Sequence, residues 1–398
     1  MEFRYYQACY GRSDTGWAVV NVSPNIPKSI VDDFAAIERG NAAAVSGGPV
    51  PMGANETPSC MLELYCKNDA LGLVRVQYHL SDVEGRPISF AHGYIFPDSY
   101  NLLKAPEWIL SLSRENFADQ RLSQEEKERL RKHPGALIRE LMKRSSPDLT
   151  PENFIRNPVP SVSEALNRCG LDEKSYKNWI IAVYSQVLTT NTQKNLYVKT
   201  DGSEEYALNL LYLTYLAIPY SLRPLVTGST YLRENQRNTK LIFCAELPAG
   251  VPQYNPITGE TNAFNDVVAK RLDERNPIIS AAVDHLLEGS DKTHFDLIEA
   301  LLDEMADSKI TNMQSINLAY SISRHEYELP ERLPFILYSW LALPVQNNDS
   351  WEEFACFLFE EMKRKAIQPN AETAEILSAR VKDAVTNKFA ERARSFLT

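Results

Sequence analysis

Residues 3–27 read FRYYQACYGRSDTGWAVVNVSPNIP, two apolar runs set about a polar turn. Aromatic and β-branched side chains fill both runs, and such residues suit a pleated, half-buried surface. The pattern predicts a β-hairpin with Phe3 to Cys9 as one strand, Trp17 to Val22 as the other, and Gly11-Arg12-Ser13-Asp14-Thr15-Gly16 as the loop between them. Tyr5, Tyr6, Tyr10 and Trp17 are many aromatic rings for one hairpin. Tyrosine and tryptophan suit interfaces because they join large apolar area to a polar tip. The competing expectation is that alternate rings pack a core.

The period of two continues downstream. Cys60 to Cys66 alternates apolar and polar residues, and so does Leu73 to Leu80, whose even-numbered members are expected to face the core. Ile88 to Phe96 reads as a further strand after the turn Gly85-Arg86-Pro87. Between these, Ile30, Val31, Phe34 and Ile37 recur at helical spacing, with Gly40 as the expected stop, and Asn41 to Pro58 reads as a loop. A charged helix is expected over Ser123 to Lys143, opened by the capping box Ser123 and Glu126. Four prolines between Pro147 and Pro160 mark a domain boundary.

The rhythm then changes. Short helices are expected near Ser161 to Gly170, over Lys174 to Leu188 and over Ser203 to Ala217, interleaved with strands at Asn195 to Lys199 and Lys240 to Leu247. Pro248 to Glu260 reads as a surface loop. Beyond it the pattern is helical, at Thr293 to Ala306, around Trp351, Phe354, Leu358 and Met362, and over Glu372 to Phe396 as one long helix or two short ones. The expected class is α+β: a β-rich N-terminal domain over 1–146, an α/β middle domain over 161–247 and a helical C-terminal region over 261–398.

Charge and cysteine usage narrow the function classes. A formal net charge of −10 disfavours binding to phosphate backbones. The six cysteines form no Cys-x-x-Cys pair, and no apolar stretch has the length of a membrane span, so a cytoplasmic protein with reduced thiols is expected. Neither a His-x-x-x-His pair nor a Cys-x-x-Cys pair offers metal ligands, so no metal and no cofactor are expected. The chain has no Gly-x-x-x-x-Gly-Lys-Ser/Thr loop and no Gly-x-Gly-x-x-Gly, which disfavours nucleotide hydrolysis. Cys9 with His92 is the one pair to consider as nucleophile and base, with Asp14 or Asp98 to orient the imidazole. The structural alternative makes Cys9 a small core hydrophobe and His92 a satisfied strand residue. Arg223 is expected either to meet an acidic partner or to cap the helix before it.

Two stretches carry a family resemblance. YYQACYG, DTGWAVVNVSPNIP and SFAHGYIFPD together resemble the N-terminal domain, of the second type, of bacterial GTPase-associated protein one. LYVKTDGSEEYALNLLYLTYLAIPYSLRPLVTGSTYL, followed by TKLIFCAEL, is similar to the middle domain of that family. The resemblance implies a non-catalytic adaptor or scaffold of a bacterial conflict system, working beside a P-loop GTPase and a small third component. The expected partner-binding residues are Tyr10, Arg12, Asp14, Trp17 and Arg223. A Cys/His hydrolase using Cys9 and His92 is the enzymatic alternative, and a homo-oligomeric structural subunit is a third reading.

Overall fold

In the computed structural model the described residues are 5–13, 16–43, 60–68, 70–81, 87–97, 102–111, 159–185, 195–219, 222–230, 239–263, 278–288, 313–343 and 345–397, with single positions at 117, 123, 125, 126 and 129. The chain divides into two compact units, Met1–Leu272 and Asp273–Thr398. The expected loop over Asn41 to Pro58 lies outside the described residues from 44 onward, as does the expected helix over Thr293 to Ala306. Most of Ser123 to Lys143 lies outside them too, but its capping box is present. Ser123 N–H donates to Glu126 Oε2 at 2.9 Å, and Glu126 N–H donates to Ser123 Oγ at 3.2 Å.

The first unit begins with β1 (Tyr6–Ser13), β2 (Gly16–Val22), α1 (Lys28–Ala43), β3 (Cys60–Lys67), β4 (Ala70–Ser81), β5 (Pro87–Phe96) and the short α2 (Trp108–Ser111). It continues with α3 (Val162–Arg168), α4 (Glu173–Val183), β6 (Leu196–Lys199), α5 (Glu204–Leu216), β7 (Gly228–Ser229), β8 (Leu241–Cys244) and β9 (Gln253–Tyr254). Among the described residues all nine strands form one sheet, ordered β2-β1-β5-β4-β3-β7-β8-β6-β9. β2 to β3 in that order are antiparallel, and β7, β8, β6 and β9 run parallel to one another.

The join between these halves corrects the expected division at 147–160. β3 pairs antiparallel with β7, Glu63 opposite Ser229 and Leu64 opposite Gly228. Thr230 N–H donates to Leu62 O at 2.9 Å, and Leu62 N–H donates to Thr230 Oγ1 at 2.9 Å. Strands expected in separate domains therefore share one hydrogen-bond ladder. Of that proline-rich segment, residues 147–158 lie outside the described residues.

Both faces of the antiparallel half are covered, which corrects the expectation that only the even-numbered members of β4 face a core. Leu73 and Arg75 are as buried as Val74 and Val76. On one face α1 lays Phe34 against Ala8, Tyr10, Tyr65, Val74, Val76, Ala91 and Ile95, with Trp17, Val19 and Val22 packed at the margin. The helix runs past Gly40 to Ala43, because an isolated glycine weakens a helix without breaking it. Gly93 is required where Phe34 crosses β5: a Cβ there would lie 2.8 Å from Phe34 Cε2 and 3.1 Å from Val74 Cγ2.

The other face receives α2 and α5. Trp108 of α2 packs on Phe96, with ring centroids 5.2 Å apart. Ser203 caps α5 by accepting from Tyr206 N–H at 3.1 Å, with Glu204 and Glu205 in the first turn, where a helix favours negative charge. Tyr206, Ala207 and Asn209 to Leu216 are all buried, as expected of a helix enclosed on all sides. α4 encloses it through Tyr176 Oη, which donates to Leu213 O at 2.8 Å, and Trp179 Nε1, which donates to Thr214 Oγ1 at 2.8 Å. α3 opens with the capping box Ser161 and Glu164.

The second unit is helical among its described residues: α6 (Ile278–Leu287), α7 (Met313–Ser323), α8 (Leu333–Leu341), α9 (Asp349–Arg364), α10 (Ala371–Arg380) and α11 (Asn387–Leu397). Trp340 and Trp351 stack at its centre, 6.0 Å apart and 14° from parallel. Buried Glu352 accepts from Val385 N–H at 2.6 Å and Thr386 N–H at 2.8 Å, so it ties α9 to the start of α11. Arg380 donates to Leu341 O at 2.9 Å and to Val345 O at 2.7 Å, satisfying carbonyls at and beyond the end of α8.

Gly93→Ala forces Phe34 or the β5 backbone to move, and its expected cost is about 1–3 kcal/mol. Urea unfolding of the variant beside the parent checks this, and equal midpoints would remove Phe34 packing as the reason for the glycine.

Candidate functional site

The register across β1, β5, β4 and β3 lines up four residues. Cys9 lies opposite His92, His92 opposite Arg75, and Arg75 opposite Leu62. Directly opposed residues on neighbouring antiparallel strands point to one face. Three polar or ionisable side chains therefore sit in a row on the face that α5 covers.

All three are buried, Cys9 and His92 at 0% and Arg75 at 4% exposure. Burial pushes the Cys9 thiol well above its ordinary range, so it is held protonated. His92 Nε2 and Gln7 Oε1 are 3.0 Å apart. The imidazole is also boxed by rings, with Tyr94 centred 5.0 Å away and Phe117 at 5.7 Å, edge to face. Arg75 forms a buried ion pair with Glu204, the first residue of α5. A charge pair of this kind holds two elements in register, and losing one partner leaves the other charge stranded out of water.

The structure thus brings Cys9 and His92 together as cross-strand partners and also encloses them. A nucleophilic thiol needs thiolate character and access. Here the thiol is protonated and fully covered, which matches the expectation of a small core residue.

The other nominated residues separate into two groups. Tyr10 is buried at 3% exposure, with its ring stacked on Trp17 at 6.4 Å and 9°. Its expected role in contacting a partner is corrected by that position: it is part of the α1 core. Arg223 is also enclosed, at 0% exposure. Its Nε donates to Ile218 O at 2.9 Å, just past the end of α5, and its Nη1 donates to Leu103 O. That is the helix-capping reading, and burial removes the partner-binding one. Arg12 and Trp17 form the second group. They lie opposite each other one pair from the turn of the β1–β2 ribbon, and both are half-buried. Asp14 and Asp98 lie outside the described residues.

The ribbon itself differs from the expected hairpin. The predicted six-residue loop is mostly strand, since β1 extends to Ser13 and β2 begins at Gly16. Turn-forming residues at Gly11 to Ser13 are accommodated because they pair in register, Gly11 with Ala18 and Ser13 with Gly16.

Gln7, Arg75 and Glu204 were missed as members of the buried row. Arg75 sits among alternating polar residues and reads as a solvent-facing position. Its ion-pair partner belongs to an element far along the chain, and no local pattern links the two.

Among the described residues no three His, Cys, Asp or Glu side chains converge to hold a metal ion, and no helix is long and apolar enough to cross a membrane. No family model matches the chain, and no curated protein matches it.

Arg75→Met is expected to destabilise the first unit by about 3–5 kcal/mol, with much of that loss recovered in the double variant Arg75→Met/Glu204→Leu. A double-mutant cycle by denaturant unfolding measures this, and additive losses would show that the pair is not coupled. Cys9 is expected to resist iodoacetamide in the native protein and to react after unfolding in urea, as read by peptide mass spectrometry. Native-state labelling of Cys9 at the rate of an exposed cysteine would contradict its enclosure.

Proposed function

We propose that this chain is a non-catalytic adaptor or scaffold subunit of a GTPase-linked bacterial conflict system, related to GTPase-associated protein one. In this reading it acts in the cytoplasm and binds a P-loop GTPase and a small third component, with the β1–β2 ribbon as the contact. One observation carries the reading. Of the nominated side chains that are described, Arg12 and Trp17 are the two that are not fully buried, and both lie on that ribbon, whereas Cys9, His92, Tyr10 and Arg223 are enclosed. A half-buried tryptophan backed by a stacked ring and flanked by arginine offers the residue types that anchor protein interfaces.

The hydrolase alternative draws on the cross-strand pairing of Cys9 with His92. Enclosure of both groups and the upward push on the thiol weigh against it.

The adaptor reading is tested by co-expressing the chain with the GTPase of its own system and measuring capture. Arg12→Ala/Trp17→Ala is expected to reduce capture at least about tenfold, the usual scale of losing an interface anchor, with circular dichroism unchanged. Full capture by the folded double variant would overturn the ribbon as the contact.

A further inference from the structure

The two ends of the nine-stranded sheet are finished differently. At the β9 end the chain closes its own edge. Gln253 N–H donates to Asn262 Oδ1 at 2.7 Å, Thr261 Oγ1 donates to Gln253 O at 2.6 Å, and Thr261 forms an antiparallel bridge with Tyr254. At the β2 end a seven-residue strand, GWAVVNV, has β1 as its one strand neighbour among the described residues.

The register shows which backbone groups of β2 point outward. Ser23 N–H donates to Gln7 O, so Ser23 faces β1. Val22 N–H is taken by the neighbouring Asn21 Oδ1 at 2.9 Å and so points away from β1. Ser13 pairs with Gly16 next to the turn, and alternation from that pair turns Trp17 and Val19 outward as well. Their side chains, like that of Val22, pack toward the α1 core. An outward row of N–H and C=O groups is complemented by an extended strand, and side chains of a globular surface do not reproduce that spacing.

The composition of β2 selects the occupant. Edge strands of monomers ordinarily carry lysine, proline or an inward charge that blocks pairing. β2 carries no charged residue and no proline, in a chain of net charge −10. In a two-fold antiparallel pair the residue on the axis lies opposite its own counterpart and its neighbours pair in reverse order, so a charge near the middle of the strand would meet its like. An uncharged strand is the kind of segment on which an acidic chain can approach its own copy. We propose that β2 is a dimerisation edge, where the β2 strands of two copies pair antiparallel and join their sheets across a two-fold axis.

The test is sedimentation velocity of the full chain from low-micromolar to about 100 μM, the range over which weak strand pairing is resolved. The parent is expected to pass from the mass of one chain to that of two. Val19→Pro deletes one outward N–H and leaves the β1 ladder in place, and it is expected to stay monomeric. Because Val19 also packs on the core, Val20→Lys is the companion variant. It sets a charge near the two-fold axis and is expected to raise the dissociation constant at least about tenfold. A parent that sediments as one chain throughout overturns the proposal, as does a dimer that persists unchanged in both folded variants. Capture of the GTPase by Val20→Lys is read separately. Capture with loss of the dimer keeps the adaptor reading and supports the self-pairing edge. A dimer without capture in the parent supports the edge and removes the adaptor reading.

Discussion

The pairing of β3 with β7 is the contact on which the rest of the first unit depends. It consists of two registered residue pairs and two flanking hydrogen bonds to Thr230. Without it the antiparallel strands and the parallel strands would be two small sheets, each with an open edge. With it, α5 has a continuous floor to cover. Gly228 makes the approach possible, because a Cβ there would lie 2.9 Å from Phe243 and 3.2 Å from Leu211. Both neighbours are buried, so a side chain at 228 would require them to repack.

A floor covered on both faces changes what polar residues can do within it. Arg75 and Glu63 lie on opposite faces, since Glu63 pairs with Val74, so in a one-sided sheet one of them would face solvent. Here Glu63 accepts from Thr239 Oγ1 at 3.2 Å, and Arg75 is paired to the start of α5. Cys9 and His92 share that enclosed setting. Their closeness follows from strand register, which sets every residue of β1 beside one of β5. Proximity of a thiol and an imidazole is therefore weak evidence of chemistry when a sheet supplies it automatically. The chemistry needs water and substrate to arrive, and enclosure decides that question.

Much of the local structure was legible in the residues. Ser161 with Glu164 and Ser123 with Glu126 act as capping boxes because their i,i+3 spacing suits the first turn of a helix, and Ser203 caps α5 through Tyr206 N–H. The alternation around Leu73 located β4, and the run from Ile88 to Phe96 after a turn located β5. The long-range facts were not legible. Period two identifies a strand but does not say whether its second face is wet, and so the odd-numbered members of β4 were misplaced. The ladder between Leu64 and Gly228 involves residues far apart with no shared motif. Tyr10 and Arg223 were read as contacts because aromatic and cationic side chains commonly serve interfaces, and tertiary packing gave both to the interior. The proposed adaptor role rests on a resemblance and on where Arg12 and Trp17 lie.

The order in which the chain is synthesised gives the β3–β7 contact a further meaning. The first five strands leave the ribosome well before β7 exists, and through that interval the outer edge of β3 has no partner. The nascent N-terminal half therefore exposes the row of backbone groups that β7 later covers, together with the apolar face that α5 will fill. Contacts between such distant segments form late because a long loop must close before they are rewarded. Chaperones that shield nascent apolar surface would meet this chain at that stage, and truncations ending before residue 228 would leave the ribosome as aggregation-prone fragments instead of as a smaller working domain.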